Sequence, residues 1–364
     1  MQHEILTAAP LLDEKGHLTE PGFAKTMLPI YDRRAIKAPG WRIKEWDYYY
    51  IGNDDFGIAL TIADNSYMGL DSISLLDFRK PWQHTNSPIR FFSGGKVGFP
   101  PTSVKGDVFH SGKNHAIYFR NDGEKRVLEF SMKNFYKGKP IEGNIRLENP
   151  KGESMVIATP FAGKPNHFYF NQKINCMPAK GKVTFDGAEY IFNPASSFGV
   201  LDWGRGVWTY ENTWYWGSAS GTVDGVPFGF NIGYGFGDTG AATENMLFYN
   251  HKAHKLQQVT FEIPMKPKKY QTRGGCCSQG GVTVDTADMV EDYLENWKFT
   301  SSDGRFEMDF VPIIDRHADS NAVVIRSNQH QVFGRFTGSA VLDDGTVIKI
   351  KDFIGFAEKV HNKW

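Results

Sequence analysis

An all-β chain, built as two antiparallel β-barrels in tandem, follows from three features of the sequence. Strand formers and turn formers dominate, with 28 Phe, 15 Tyr, 9 Trp and 38 Gly, a mixture that favours many short strands over helices. Apolar segments recur at short intervals, and each ends in a turn signal. A pattern of aromatic strands in the first half returns in the second. No long amphipathic helix interrupts the series.

In chain order, "WDYYYIG" is closed by "NDD", "FGIALTIAD" by "NS", and "HAIYFR" by "NDGEK". Further on, "KVTF" runs into "DGAE", "FTSS" into "DG" before "RFEMDFVP", and "GSAVL" into "DDG" before "TVIKIKDF". Asp-Gly between alternating apolar segments is a hairpin signal. Closure of the sheets would hide their edges.

The echo pairs "KEWDYYYIGNDDFGIALTIADNSYMG" from Lys44 with "NTWYWGSASGTVDGVPFGFNIGYGFGD" from Asn212. Each opens on a tryptophan (Trp46, Trp214) with an aromatic two residues later (Tyr48, Trp216). Residues two apart on a strand share a face, so each half offers an aromatic pair to one interior. The chain of 364 residues is long enough for two such units. The expected division is an N-terminal arm over 1–40, a first barrel over 41–195 and a second over 196–364.

Composition excludes several classes of function. Lys plus Arg and Asp plus Glu stand at 41 each, with no basic stripe, so no nucleic-acid partner is expected. The start "MQHEILTAAPLLDEKGHL" lacks a basic stretch followed by an apolar one, which argues against a secretory signal. No apolar run approaches the ~20 residues of a transmembrane segment. Cys176, Cys276 and Cys277 show no metal-ligand spacing, and adjacent cysteines are poor disulfide partners. A reduced, cytoplasmic protein without a metal is the expectation.

Three motif matches fail on their context. "GFGDTG" places Gly235, Gly237 and Gly240 in the G-x-G-x-x-G pattern, but "AATENMLFYN" follows as a strand where a nucleotide site needs a helix. "GSASG" has Ala219 where a nucleophile elbow needs serine. His251 and His254 have no third ligand nearby and read as a polar turn. Cys276 and Cys277 read as an inert loop pair.

The stretch "GVLDWGRGVWTYENTWYWGSASG", Gly199–Gly221, carries more information. Four tryptophans accompany Asp202 and Arg205. Asp202 and Arg205 are expected to pair across a tight Gly-rich turn, either as a structural bridge or as a polar anchor at a ligand cavity. Glu244 and Glu358 each interrupt an apolar strand, and a carboxylate facing inward needs a partner or a ligand to offset its burial. His330 lies beside polar residues at the mouth of a strand, where a structural histidine is the plainer reading.

The stretches "NCMPAKGKVTFDG", "GVLDWGRGVW", "NTWYWGSASG" and "GFGDTGAATENMLFYNHKAHKL", with the endings "NQHQVFGRFTG" and "IKDFIGFAEKVHNKW", resemble the bacterial domain of unknown function 2804 family. More distantly, the tryptophan-led strands and the late acid Glu358 resemble the lipocalin-like double-barrel proteins, which include carotenoid 1,2-hydratases, tocopherol cyclases and fungal pericyclases. That resemblance implies two lipocalin-like barrels with an apolar ligand between them.

The function expected is a cofactor-independent acid–base reaction on a small hydrophobic lipid or isoprenoid-like molecule: hydration by a lyase, isomerisation or cyclisation. Asp202, Arg205 and Glu244 are the candidate catalytic residues. Trp203, Trp208, Trp214, Trp216, Asn231, Asn245, His330 and Glu358 are the candidate substrate contacts. An Asp202→Asn variant is expected to keep its fold and lose affinity or turnover. A non-catalytic carrier of a hydrophobic ligand uses the same walls, and a carbohydrate-active protein would pair carboxylates with tryptophan platforms.

Overall fold

The computed structural model describes residues 2–269, 284–322 and 325–363; Cys276 and Cys277 lie outside them. Among the described residues the only helices are two short 3-10 turns, Arg33–Ala35 and Gly40–Arg42. No helix among them is long and apolar enough to cross a membrane. The all-β expectation holds.

Two large antiparallel sheets dominate the described residues, beside two small two-stranded ones. The main path of the first runs through Trp82–Asn86, Met68–Asp77, Phe56–Asp64, Ile43–Gly52 and Phe198–Val207, then Lys164–Phe185, Lys139–Glu148, Lys125–Tyr136, His115–Asn121 and Val108–Ser111. The second runs from Lys252–Lys255 through Met246–Tyr249, Val226–Tyr234, Glu211–Val223 and Val347–Lys363. It continues through Ile325–Val341, Phe306–Ala322 and Trp297–Ser301 to Val259–Glu262. The Asp-Gly signals close hairpins as expected. Asp186 and Gly187, at φ 52° and 76°, occupy the left-handed region that a two-residue hairpin turn requires.

Period-two alternation sorts each strand into two faces. From Ile43–Gly52, Tyr49 and Ile51 enter the core of the first sheet with Ile58, Leu60 and Leu75. Trp46, Tyr48 and Tyr50 face the other way, toward Trp214, Trp216 and Phe356 of the second sheet. The second sheet has its own core, around Phe230, Phe299 and Phe336.

One segment pairs across the expected division. Phe198–Val207, placed in the second barrel by sequence, is hydrogen-bonded between Ile43–Gly52 and Lys164–Phe185 of the first sheet. Its glycines suggested a turn, yet all ten residues are buried strand. Within the N-terminal arm, Gly22–Ala24 pairs with Met155–Phe161. Of the rejected motifs, Gly235 and Gly237 lie in a bend at φ 91° and 75°, Gly217–Gly221 is strand, and His251 is in a turn while His254, on Lys252–Lys255, has its Nδ1 3.2 Å from Asp343.

The sheets are joined by a bulge. The register of Lys164–Phe185 against Phe198–Val207 shifts between Ile174 and Met177, and Cys176 sits at φ 59°. The shift turns Asn175 toward the second sheet. Its Nδ2 lies 2.9 Å from Ser218 Oγ, 3.3 Å from the Ala219 carbonyl, 3.2 Å from Ser220 Oγ and 3.1 Å from the Phe230 carbonyl. The Cys176 amide donates to Ser220 Oγ at 3.0 Å. Gly229 leaves the room: a Cβ there would lie 2.7 Å from Cys176 Sγ.

Asn175→Ala removes the side-chain donor and leaves buried acceptors of the second sheet without it. The expected cost is about 1–3 kcal/mol, read as a lower urea midpoint. An unchanged midpoint would show that the sheets hold together without this contact.

Candidate functional site

A cavity of about 740 Å³ lies where the two sheets face each other. Its first wall includes Trp46 and Tyr48, Lys173, Asp202 and Trp208; its second includes Trp214, Trp216, Glu244, Gln331 and Glu358. Ile89 and Phe91, both exposed, also belong to the lining.

The two halves place the same device in this cavity. Asp202 stands opposite Tyr48, and Glu358 stands opposite Trp216. In each half the tryptophan two residues before that aromatic donates its indole N–H to the carboxyl group. Trp46 Nε1 lies 3.1 Å from Asp202 Oδ2, and Trp214 Nε1 lies 3.0 Å from Glu358 Oε1. Gly204, opposite Trp46, makes the first pair sterically feasible. A Cβ there would fall 1.9 Å from the indole.

The halves then diverge in charge. Asp202 Oδ1 accepts from Asn171 Nδ2 at 2.6 Å and pairs with the Lys173 ammonium at 2.7 Å. Lys173 is directly opposite Asp202 in register and lies 3.9 Å from the centre of the Trp216 ring, a cation–π contact. Glu358 has no ion-pair partner among the described residues. Its second oxygen accepts from Gln331 Nε2 at 2.9 Å, and Gln331 in turn meets the Tyr48 hydroxyl at 3.4 Å.

Burial pushes the Glu358 carboxyl up to about 7, and the Asp202 charge adds to this. The Trp214 hydrogen bond and the Arg316 and Lys173 charges oppose it. Rotating the Gln331 amide by half a turn exchanges donor and acceptor, so a protonated Glu358 can donate to it. Burial also raises the Glu244 carboxyl. Gly233 lets Glu244 lie against its strand, since a Cβ there would sit 3.0 Å from the carboxyl carbon.

The aromatic walls form one continuous cluster. Trp46 and Trp208 have centroids 5.1 Å apart, Trp208 and Trp214 are at 6.0 Å, and both of the latter meet Phe236, at 4.7 and 5.3 Å. Of the residues singled out by sequence, the fold gathers Asp202, Glu244, Trp208, Trp214, Trp216 and Glu358 around the cavity.

The others lie elsewhere. The expected Asp202–Arg205 pair does not form, because an odd spacing on a strand puts the two side chains on opposite faces. Arg205 enters the first core, where Nη1 meets Asp47 Oδ1 at 3.1 Å and the Trp46 carbonyl at 2.8 Å. Trp203 packs on the same side, beneath the Arg205 guanidinium at 4.0 Å. Asn231 accepts the Trp216 indole N–H at 2.6 Å and so orients a wall residue. Asn245 is occupied by the Gly233 amide and the Gln257 carbonyl. His330 meets Asp315 at 2.6 Å and stacks on Tyr293 in a separate surface recess.

Lys173, Gln331 and Arg316 are cavity residues that sequence reasoning missed. The signal for Lys173 was present in "FYFNQKINC", where a lysine interrupts a buried strand. A third cluster lies in the first sheet, where Asp71 Oδ2 meets His110 Nδ1 at 2.6 Å and His115 Nε2 at 2.9 Å. Arg90 binds the other oxygen of Asp71, so this carboxylate already has the positive charge that a metal would bring.

The family described as "Domain of unknown function (DUF2804)" matches residues 2–364. No curated protein matches the chain. Among solved structures, a protein of Nitrosomonas europaea described as an AttH aligns with a TM-score of 0.51 at 12% identity, covering 98% of this chain and 99% of that one. Kievitone hydratase from Nectria haematococca aligns at 0.45 and 11% identity, covering 98% of each chain. CghA with Sch210972 aligns at 0.47 and 11%, covering 100% and 97%. At such identities the likeness to the first of these concerns the fold alone.

The Lys173 contact changes what Asp202→Asn should do. The side chains of Lys173 and Asp202 are only 3% and 12% exposed, so the variant leaves a buried ammonium without its anion. The expected loss is about 3–5 kcal/mol, not the preserved fold anticipated from sequence. A Lys173→Met, Asp202→Leu double variant should recover most of that loss. Equal stability of Asp202→Asn and wild type in thermal melts would show that the pair contributes nothing.

Proposed function

The chain belongs to the domain of unknown function 2804 family, and we propose that it is an acid–base enzyme acting on a small hydrophobic molecule held between its two sheets. What carries this reading is the Glu358 carboxyl, buried among indoles and held by Trp214 and Gln331 with no ion-pair partner among the described residues. A carboxylic acid with a pKa pushed up to about 7 is matched to general-acid work near neutral pH.

In this reading Glu358 gives its proton to an alkene or a conjugated carbonyl of the substrate. The positive charge that develops at carbon is flanked by the faces of Trp214 and Trp216, each worth ~0.5–2 kcal/mol to a cation. Asp202 stays bound to Lys173 and adds negative potential. Water or a nucleophile within the substrate then closes the step and returns a proton to the Glu358 carboxylate. Loss of a neighbouring C–H proton to the same carboxylate would give isomerisation instead. A carrier needs the apolar walls but has no use for an acid in this state.

The test uses deuterium oxide and a panel of short isoprenoid alkenols and enones, with mass spectrometry of the recovered ligands. Wild type should place deuterium on carbon of at least one of them, at a rate that falls as pH rises through about 7. Glu358→Gln should lose about 10²–10⁴-fold of that rate. Ligands that bind while none gains deuterium would identify a carrier.

The same carboxyl gives a stability prediction. Its folded pKa is raised from 4.5 to about 7, so the folded state binds the proton more tightly than the unfolded one. That contribution is complete below about pH 4.5 and is lost as pH rises through about 7. Wild type should therefore lose stability across this window relative to Glu358→Gln, measured by denaturant melts at matched pH. A pH-independent difference would place the titration elsewhere.

A further inference from the structure

One cation in the cavity has no ion-pair partner among the described residues. Arg316, on Phe306–Ala322, stands opposite Gln331 and lines the cavity. Its Nη1 donates to Ser74 Oγ of the first sheet at 2.8 Å, and no carboxylate among the described residues forms an ion pair with it. A guanidinium carries five N–H donors, and a single neutral hydroxyl leaves most of them unused. Other arginines have more of their donors occupied: buried Arg126, also without a carboxylate, bonds Asn149, Tyr49 and the Ser103 carbonyl through its three nitrogens. Arg205 meets Asp47 and three carbonyls, and Arg90 meets Asp71.

The surroundings restrict what can complete Arg316. Lys173, the other cation on the lining, is committed to Asp202. Three carboxyl groups, Asp202, Glu244 and Glu358, share the lining, so a dianion such as a phosphate monoester would meet repulsion with one free cation to offset it. A monoanion with two coplanar oxygens fits the guanidinium fork. The remaining walls are indole, phenyl and aliphatic surface, suited to an uncharged body.

We infer that the ligand of this cavity is an amphipathic monocarboxylic acid, its carboxylate bound by Arg316 and its apolar chain laid along Trp214, Trp216 and Trp208. The inference rests on the proposed ligand role of the cavity and adds the class of molecule. A carboxylate at Arg316 also fixes which end of the substrate approaches Glu358, because the two residues lie on the strands either side of Ile325–Val341, each opposite Gln331.

The test compares dodecanoate with dodecan-1-ol at about pH 8, where the acid is ionised, by quenching of the cavity tryptophans. Wild type should bind the acid at least about tenfold more tightly than the alcohol. Arg316→Gln should remove that preference and leave alcohol binding as it was, whereas Arg316→Lys should keep part of it. Melting curves of both variants accompany the titrations, and the wild-type preference is informative even if one of them does not fold. Equal binding of acid and alcohol by wild type, or a preference that survives Arg316→Gln in a folded variant, overturns the inference but leaves the cavity as an apolar ligand site. Failure of wild type to bind either probe overturns the ligand role of the cavity as well.

Discussion

A carboxyl group can sit in an apolar cavity only if the walls themselves supply hydrogen-bond donors. Tryptophan meets both requirements, since it offers a large apolar face and one N–H. The Trp46–Asp202 and Trp214–Glu358 contacts are therefore the interactions on which the arrangement of the site depends. They require the carboxylate strand to lie beside the tryptophan strand, with the acid opposite the residue two places on. Phe198–Val207 pairs with Ile43–Gly52 for this reason in geometry, and Val347–Lys363 pairs with Glu211–Val223 in the same way. Gly204 is the steric allowance that the first contact needs.

One repeated device holds two carboxyl groups with different cross-strand partners. Placing Lys173 across from Asp202 supplies a full positive charge, whereas placing Gln331 across from Glu358 supplies a dipole that can donate or accept. The difference lies in single residues on the third strand of each trio, not in the tryptophans.

Much of the fold was legible in the sequence because its signals are local. Asp-Gly turns, alternating strands and the tryptophan-led echo all act within a dozen residues. Glu358 stood out for the same reason, as an acid inside an aromatic strand. The Asp202 partner was not legible, because cross-strand register joins residues 29 positions apart (Lys173 and Asp202) and no local pattern encodes it. The glycines of "DWGRGVW" suggested a turn, and that one error assigned Arg205 and Trp203 to the wrong face. Once the segment is strand, parity alone separates Asp202 and Trp208 from Trp203 and Arg205. His330 and Asn245 look functional in sequence because they are polar in apolar surroundings, yet ring stacking, an ion pair and backbone contacts account for them.

The bulge at Asn175 and Cys176 acts on the cavity as a dowel acts on two boards. It enters the second sheet between Ser218 and Phe230, on the same strands that carry Trp216 and orient it through Asn231. The gap between the sheets is thus held at a width that a ligand does not have to create. A ligand of the proposed kind would then enter with little rearrangement of the host, and discrimination among candidates would fall to contour and length more than to their power to pry the halves apart.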